Sequence, residues 1–466
     1  MTGSMHSVEP WLRGPGEVTM TISTRDVAHL LLALAVMLLA AHGMGTLFAK
    51  LRQPRVIGEI VGGLLLGPTV LGAAAPGVQQ WLFPTKGPVS SVLAAIYQLG
   101  LLLLMYCSGM EVRSSIKARE GRAAASILLF GTVAPFVAGL AAVRLIDETK
   151  FYGPNGNKTS FLLVFAIAMA VTSIPVISRI MFDLGILDTP FARIVLSVAV
   201  VEDIVLYIVL AVALGISGQA EGALFGLPGT IGLHPGSAAD LIYHAGATVV
   251  VLTLFFVFGR SIYRAMSTFR LNPIGSWSPI AFQLVFMLAA CLACIFLGIQ
   301  PFFGAFVAGI VVGSVANAPD PIHDGACVAI REFSMAFFIP IYFAVVGLQL
   351  DLLHGFVPLF FISYLLLACV IKTVSVYAGA RVGGQAPYTA VNLAVAMNAR
   401  GGPGIVLASV VFGAGIVNQS FYGVLVLLAI ITSMLAGSWL QRVPRSKLIE
   451  AEAGPGRQPL DQSARD

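Results

Sequence analysis

Long runs of apolar residues, separated by short polar stretches, recur along almost the whole chain. A helix needs roughly 20 apolar residues to cross a bilayer, whereas outer-membrane strands show alternating segments of about 10 residues. The pattern therefore predicts an all-α polytopic membrane protein with about 13 transmembrane helices. The predicted segments are 27–49, 55–72, 90–108, 121–146, 160–180, 190–215, 238–259, 277–298, 301–315, 333–350, 355–380, 388–413 and 420–441.

The composition leads to the same class of protein. Of the 466 residues, 58% are hydrophobic and only 11% are charged, whereas soluble domains carry about 25% charged residues. A soluble enzyme, a disordered protein and a nucleic-acid binder are thereby excluded, and the bilayer is the expected environment. The five cysteines fall mostly in apolar runs, so packing is favoured over redox chemistry for Cys291 and Cys294. The seven histidines show no ligand spacing, and neither a transition metal nor another cofactor is expected.

The distribution of Lys and Arg predicts the orientation. Sixteen of these residues lie near the odd-numbered connections and the start of the C-terminal tail, and five lie near the other side. Because cytoplasmic loops are enriched in Lys and Arg, we expect the N-terminus outside and the C-terminus in the cytoplasm. The expected location is the plasma (inner) membrane. The net charge of +5 then reflects topology and implies no acidic partner.

Charged residues inside the apolar segments are the main functional candidates, because each costs a few kcal/mol there unless it is paired or hydrated. The deep ones are Glu202, Asp203, Lys372 and Arg400. Adjacent helix positions point about 100° apart, so the two carboxylates cannot face one cavity together. A structural Glu202–Lys372 ion pair would explain Glu202 but leaves Asp203 unpaired. Glu59 and Arg179 lie nearer to segment ends, where an anchoring role and a functional role both stay open.

Two predicted segments contain helix-breaking sequences, because proline removes a helix hydrogen bond and glycine lets the backbone unwind. The breaks are Val171-Thr172-Ser173-Ile174-Pro175 and Asn398-Ala399-Arg400-Gly401-Gly402-Pro403-Gly404. If segment seven is a linker, each break falls in the fifth helix of a six-helix half, and an odd linker inverts the second half. We therefore predict two inverted repeats with two crossing broken helices. The predicted divisions are an N-terminal tail (1–26), a first repeat (27–216), a linker region (217–276), a second repeat (277–441) and a C-terminal tail (442–466).

Crossing half-helices leave fixed partial charges at mid-membrane depth. Arg400 is expected to offset the carbonyl ends of the half-helices. Thr172, Ser173 and freed carbonyls are expected to bind a small cation beside Asp203, and proton and cation would compete for that carboxylate. Glu202 is also a candidate ion- and proton-binding residue, since it should titrate as one coupled group with Lys372 and Asp203.

Several stretches together resemble the sodium/hydrogen exchanger-like members of the monovalent cation:proton antiporter-2 family. They are Arg52-Gln53-Pro54-Arg55-Val56-Ile57-Gly58-Glu59-Ile60-Val61-Gly62-Gly63, Leu66-Gly67-Pro68, Thr172-Ser173-Ile174-Pro175, Val201-Glu202-Asp203-Ile204, Phe302-Phe303-Gly304-Ala305-Phe306 and Asn398-Ala399-Arg400-Gly401. The resemblance covers about residues 30 to 440. It implies a secondary active antiporter, a homodimer, and a six-helix core domain that moves against a dimerisation domain.

The resemblance also implies residue roles. Asp203 would be the ion- and proton-binding carboxylate, Lys372 the lysine that pairs with the preceding acid, and Arg400 the charge in the second crossing helix. Many electrogenic members have Asp where this chain has Glu202, and others have an amide, so the stoichiometry stays open.

Other functions stay as alternatives. Hard oxygen ligands suit Na⁺, Li⁺ and K⁺, and Na⁺ is favoured, with K⁺ close behind. An intramembrane aspartyl protease is disfavoured because Asp203 is the only deep aspartate, and no enzyme activity is expected. A non-transporting sensor that keeps the transporter fold is the remaining alternative.

Overall fold

Helices lie at all thirteen predicted segments. The structure, a computed structural model, describes residues 22–111, 121–173, 177, 181, 184–186, 189–217, 226–232, 238–268, 278–315 and 321–444. The helices are α1 (Thr24–Lys50), α2 (Arg55–Leu66), α3 (Pro88–Glu111), α4 (Gly121–Leu145), α5 (Lys158–Ala170), α6 (Pro190–Ile216), α7 (Ala238–Thr268), α8 (Pro279–Phe296), α9 (Pro301–Val315), α10 (Ile322–Leu348), α11 (Pro358–Val382), α12a (Pro387–Ala396), α12b (Gly401–Gly413) and α13 (Gln419–Leu440). Short helical turns at Pro76–Leu82 and Leu227–Thr230 lie in the connections.

The prediction of an all-α membrane protein is confirmed. Within the described ranges, ten helices are long and apolar enough to cross a membrane, and α7 adds an eleventh when its two bent parts are counted together. Helices α5 and α9 are shorter apolar helices. Among the described residues, β structure is limited to one isolated bridge between Tyr152 and Val417. The predicted segment at 333–350 was too short, because α10 already begins at Ile322.

Polar side chains fix the starts of several helices. Each accepts a hydrogen bond from a backbone N–H in the first turn, which would otherwise lack a partner. The caps are Ser23 on α1 (3.1 Å), Asn157 on α5 (2.9 Å), Thr189 on α6 (3.3 Å), Ser278 on α8 (3.2 Å) and Asn418 on α13 (3.1 Å). The connections between apolar segments therefore carry the residues that fix where the helices begin.

The helices pack as two bundles. The scaffold bundle comprises α1, α2, α3, α8, α9 and α10, and the core bundle comprises α4, α5, α6, α11, α12 and α13. Helix α7 packs against α6 of the core bundle and against α8 and α9 of the scaffold bundle. Each bundle thus takes three consecutive helices from either side of α7, as two sequence repeats would produce. The repeat boundaries themselves stay a prediction.

Glycines bring the backbones of the scaffold helices into direct contact. A Cβ atom on Gly63 of α2 would lie 1.9 Å from the carbonyl oxygen of Ala344 on α10, and one on Gly347 would lie 1.9 Å from that of Ile60. Because lipid tails are as apolar as leucine, close van der Waals packing of small residues supplies much of the association between membrane helices. Helices α2 and α10 are therefore closely packed, backbone against backbone, within the scaffold bundle.

Gly63→Ala is expected to destabilise the protein by about 1–3 kcal/mol, because the added methyl group forces the two backbones apart. Thermal unfolding in detergent measures this as a lower midpoint. Gly43→Ala is the matched control, since a Cβ atom on Gly43 meets no atom within 4 Å. Equal midpoints for the two variants would contradict the close packing.

Candidate functional site

The two broken helices cross inside the core bundle. Helix α5 ends at Ala170, and the extended residues that follow it contact the break between α12a and α12b. Ser173 N donates to the carbonyl of Ala399 (2.6 Å), and Thr172 Oγ1 donates to the carbonyl of Met397 (2.8 Å). Unwound backbone is tolerated at this depth because each break supplies partners for the other. The predicted pair of crossing broken helices is confirmed.

The second break lies slightly earlier than its glycines and proline suggested. Gly401, Gly402 and Pro403 form the first turn of α12b, and the unwound residues are 397–400. A proline in the first turn costs no hydrogen bond, since the N–H groups there have no partner within the helix. Gly402 N instead donates to Ser173 Oγ across the crossing (3.0 Å). Pro175 of the first break lies outside the described residues.

Two buried cations lie at the carbonyl end of α5. Arg400 Nε donates to the carbonyl of Ala168 (3.2 Å), and Arg400 Nη2 donates to that of Met169 (3.0 Å). Lys372 Nζ donates to the carbonyl of Ala170. The last carbonyls of a helix lack intrahelical partners and carry its negative partial charge. Arg400 and Lys372 together satisfy these carbonyls and offset that charge.

The hydrogen bonds of Arg400 go to uncharged oxygens. Besides the two α5 carbonyls, its guanidinium donates to the Asn398 carbonyl (3.2 Å), to Asn398 Oδ1 (2.7 Å) and to the Ala368 carbonyl (3.1 Å). The side chain is only 1% exposed, and over the described ranges it forms no salt bridge with a carboxylate. Arg400 is therefore a positive charge held in place by backbone carbonyls and by the Asn398 side chain.

Lys372 is paired with one of the two acids on α6. Glu202 and Asp203 are 0% and 2% exposed, and Lys372 Nζ forms a salt bridge with Glu202 Oε1. Lys372 Nζ also donates to the carbonyl of Gly131 (3.0 Å), which lies in a π-helical turn of α4 (Leu129–Val133). Such a turn shifts the hydrogen-bond register and is frequent at functional sites. Four helices thus converge on this ammonium group.

Asp203 keeps one carboxylate oxygen without a partner among the residues that the structure describes. Its Oδ1 atom and Glu202 Oε2 are both buried and accept no hydrogen bond from the described residues. A buried polar oxygen without a partner is costly, so such atoms call for a water, a proton or an ion. Asp203 therefore has the vacant capacity of a ligand, whereas Glu202 already binds Lys372.

Asp203 lies on the side of α6 that faces the scaffold bundle. Tyr207 follows one helical turn later on the same face. Its ring packs edge-on against Phe303 and Phe306 of α9, with centroids 5.6 and 5.8 Å apart. The acidic residue is thus close to the boundary between the two bundles. Sequence reasoning missed Tyr207, although its aromatic partners lie in the Phe302–Phe306 motif.

The remaining candidates lie elsewhere. Glu59 is 8% exposed, on α2 of the scaffold bundle, with Oε2 unpartnered among the described residues. Arg179 lies outside the described residues. Cys291 and Cys294 are buried free thiols on α8. Within the described ranges, no group of three or more His, Cys, Asp or Glu is arranged to hold a metal ion.

Known proteins resemble this chain over most of its length. The Arabidopsis thaliana protein Cation/H(+) antiporter 17 is 28% identical over 416 residues, which cover 87% of this chain and 47% of that protein. The Synechocystis Na(+)/H(+) antiporter NhaS4 is 27% identical over 433 residues, covering 90% and 98%. This chain thus spans about half the length of the plant relative and nearly all of the cyanobacterial one.

A solved structure and a family profile agree with these relatives. The sodium proton antiporter MjNhaP1 from Methanocaldococcus jannaschii superposes with a TM-score of 0.62 at 14% identity, covering 89% of this chain and 97% of that one. At this identity the likeness establishes the fold. The profile of the transmembrane sodium/hydrogen exchanger family matches residues 34–445. With nearly the whole membrane part matched, the chain belongs to the sodium/hydrogen exchanger family.

Proposed function

We propose that this protein is a secondary active transporter that exchanges a monovalent cation for protons by alternating access. The observation that carries the proposal is the buried Asp203 carboxylate, one oxygen of which has no partner in the described part of the chain. It lies beside a Glu202–Lys372 pair at the crossing of two broken helices. Membership of a family of transporters supports the same conclusion and gives no reason to expect an enzyme.

The charges around Asp203 suit a site for one monovalent ion. Lys372 neutralises Glu202, and Arg400 offsets the carbonyl end of α5. Asp203 is then the remaining negative charge, and one proton or one monovalent cation neutralises it. A charge left unpaired in a membrane is costly, so the empty, ionised site crosses with difficulty and the neutral, occupied site crosses readily. This difference couples cation movement to proton movement in the opposite direction.

Oxygen ligands for the cation are available at the crossing. Thr172 Oγ1 uses its proton on the Met397 carbonyl, which leaves lone pairs on the hydroxyl oxygen for a cation. Ser173 is fully buried and lies on the adjacent backbone position. We assign Asp203, Thr172 and Ser173 as ligands, with Glu202, Lys372 and Arg400 setting the charge. Na⁺ is favoured over K⁺.

The proposal extends to placement and assembly. We infer insertion in the plasma (inner) membrane with the N-terminus outside and the C-terminus in the cytoplasm, because Lys and Arg are concentrated on one side. We also infer a homodimer, as the family resemblance implies. Helix α1 of the scaffold bundle exposes Leu31 and Leu39 (61% and 74%), which is an apolar face suited to lipid or a second copy. Native mass spectrometry from detergent distinguishes dimer from monomer.

The experiment uses purified protein in liposomes that hold a pH-sensitive dye and an imposed proton gradient. Addition of Na⁺ or K⁺ is expected to dissipate the gradient, and choline is expected to have no effect. The size of the response in Na⁺, Li⁺ and K⁺ identifies the preferred ion. If folded, inserted protein responds to no cation, the exchanger is excluded and the sensor alternative is favoured.

A further inference from the structure

Asn398 links the buried Arg400 to α11, the helix that carries Lys372. Its Oδ1 atom accepts a hydrogen bond from Arg400 Nη1 (2.7 Å), and its Nδ2 atom donates to Thr373 Oγ1 (2.6 Å) and to the Cys369 carbonyl (3.1 Å). The residue is 8% exposed, so these bonds form away from bulk water. The amide thus uses its acceptor on Arg400 and both donors on α11.

The α11 partners place Asn398 against the part of α11 that carries Lys372. Thr373 follows Lys372 directly in the chain, and Cys369 precedes it by about one turn. The amide therefore ties the unwound part of α12 to the helix that carries the lysine. The Asn398 side chain thus fixes the position of Arg400 relative to the helix of Lys372. It thereby also determines which α5 carbonyls each of the two cations binds.

We infer that Asn398 is a positioning residue of the exchange site, an inference that rests on the proposed function. It holds the Arg400 guanidinium against the carbonyl end of α5 and away from the acids of α6. A guanidinium released from Asn398 turns toward Glu202 and Asp203, where it competes with the transported cation.

Other titratable groups face this region from the packed helices, and none of them replaces the hydrogen bond that Arg400 donates to Asn398 Oδ1. They are Glu202, Asp203 and Tyr207 on α6, and Tyr364, Cys369 and Lys372 on α11. On α5, α12 and α13, the described residues near the crossing add no carboxylate. The position of Arg400 is therefore the variable that Asn398 controls.

Asn398→Ala is expected to raise the KM for the cation about tenfold at fixed pH, as the loss of a hydrogen bond to a charged group implies. The maximal rate changes less, because Asp203 is retained. The pH profile of exchange shifts toward lower pH, because a closer positive charge favours the ionised carboxylate. Exchange in liposomes at several pH values and cation concentrations measures both quantities.

Asn392→Ala is the matched control. Asn392 lies on α12a, is 1% exposed, and accepts a hydrogen bond from Trp439 Nε1 (3.0 Å) instead of from Arg400. Its replacement is expected to lower thermal stability while the KM and the pH profile stay as in the wild type. A purely structural role for Asn398 would make the two variants alike.

Thr373→Val keeps the Arg400 contact and removes one α11 anchor of Asn398. We expect the KM to rise about two- to threefold, since one of three hydrogen bonds is lost. This variant decides the matter if Asn398→Ala does not fold. The inference is overturned, with the proposed function intact, if Asn398→Ala and Thr373→Val both exchange with the KM and pH profile of the wild type. If Asn398→Ala is unfolded, the same result for Thr373→Val alone overturns it. Absence of exchange by the wild type overturns both.

Discussion

Asp203→Asn is expected to reduce cation-driven proton flux to the level of protein-free liposomes. The amide has nearly the shape of the carboxylate, but it neither binds a transported proton nor supplies negative charge to a cation. Since Glu202 is already occupied by Lys372, the described residues offer no second unpaired carboxylate at the crossing. The measurement is the dye response to Na⁺ or K⁺ under an imposed proton gradient.

The same substitution is expected to leave the fold intact. Asp203 Oδ1 has no partner within the described ranges, so replacing a buried charge with an amide removes a desolvation cost. We therefore expect a free energy of unfolding equal to that of the wild type or higher by up to about 1 kcal/mol, because functional sites often reduce the stability of the fold. The unfolding midpoint is expected to be equal to or above that of the wild type. Lost transport with retained stability separates a role in transport from a role in folding.

Two further variants test the specificity of this result. Asp203→Glu keeps a carboxylate and is expected to retain part of the activity. Asp351→Asn is the matched control on the loop between α10 and α11, where the carboxylate accepts backbone hydrogen bonds from Leu353 (3.0 Å) and His354 (3.1 Å). It is expected to exchange like the wild type. Normal exchange by Asp203→Asn would refute the proposed mechanism.

The fold was predictable because its main determinants are local in sequence. Apolar segments of bilayer length define the helices, and the Thr172–Pro175 and Asn398–Gly404 stretches mark the broken ones. The exact start of α12b was not predictable from glycine and proline alone. These residues disfavour a helix interior but are compatible with its first turn, and the Ser173 hydroxyl that binds Gly402 N comes from a distant part of the chain.

The candidate site was predictable in its charges and less so in its contacts. Glu202, Asp203, Lys372 and Arg400 are conspicuous because charges are costly in an apolar segment. The partners of these charges depend on how helices pack, and the π-helical turn that presents the Gly131 carbonyl to Lys372 has no clear signal in the sequence. The same is true of Asn398, whose three partners lie on α11 and α12.

Lys372→Met is expected to destabilise the protein by about 3–5 kcal/mol, the cost typical of removing one partner from a buried ion pair. The variant leaves the Glu202 carboxylate buried without its counter-charge. It also leaves the carbonyls of Ala170 and Gly131 without the donor that they share. Thermal and denaturant unfolding in detergent measure the loss. Lys158→Met is the control, because that lysine is 78% exposed and its ion pair with Glu148 is long (3.8 Å).

The double variant Glu202→Gln with Lys372→Met separates the two contributions. Removing both charges is expected to recover most of the stability. The reason is that most of the cost of losing the lysine comes from the charged Glu202 that it leaves unpaired. A double variant no more stable than Lys372→Met would show instead that the backbone carbonyls dominate. Exchange by the double variant then tests the role of the pair in transport. Exchange is expected to persist, since Asp203 is retained. Its pH dependence is expected to change, because the charges of the pair act on Asp203 as one coupled group.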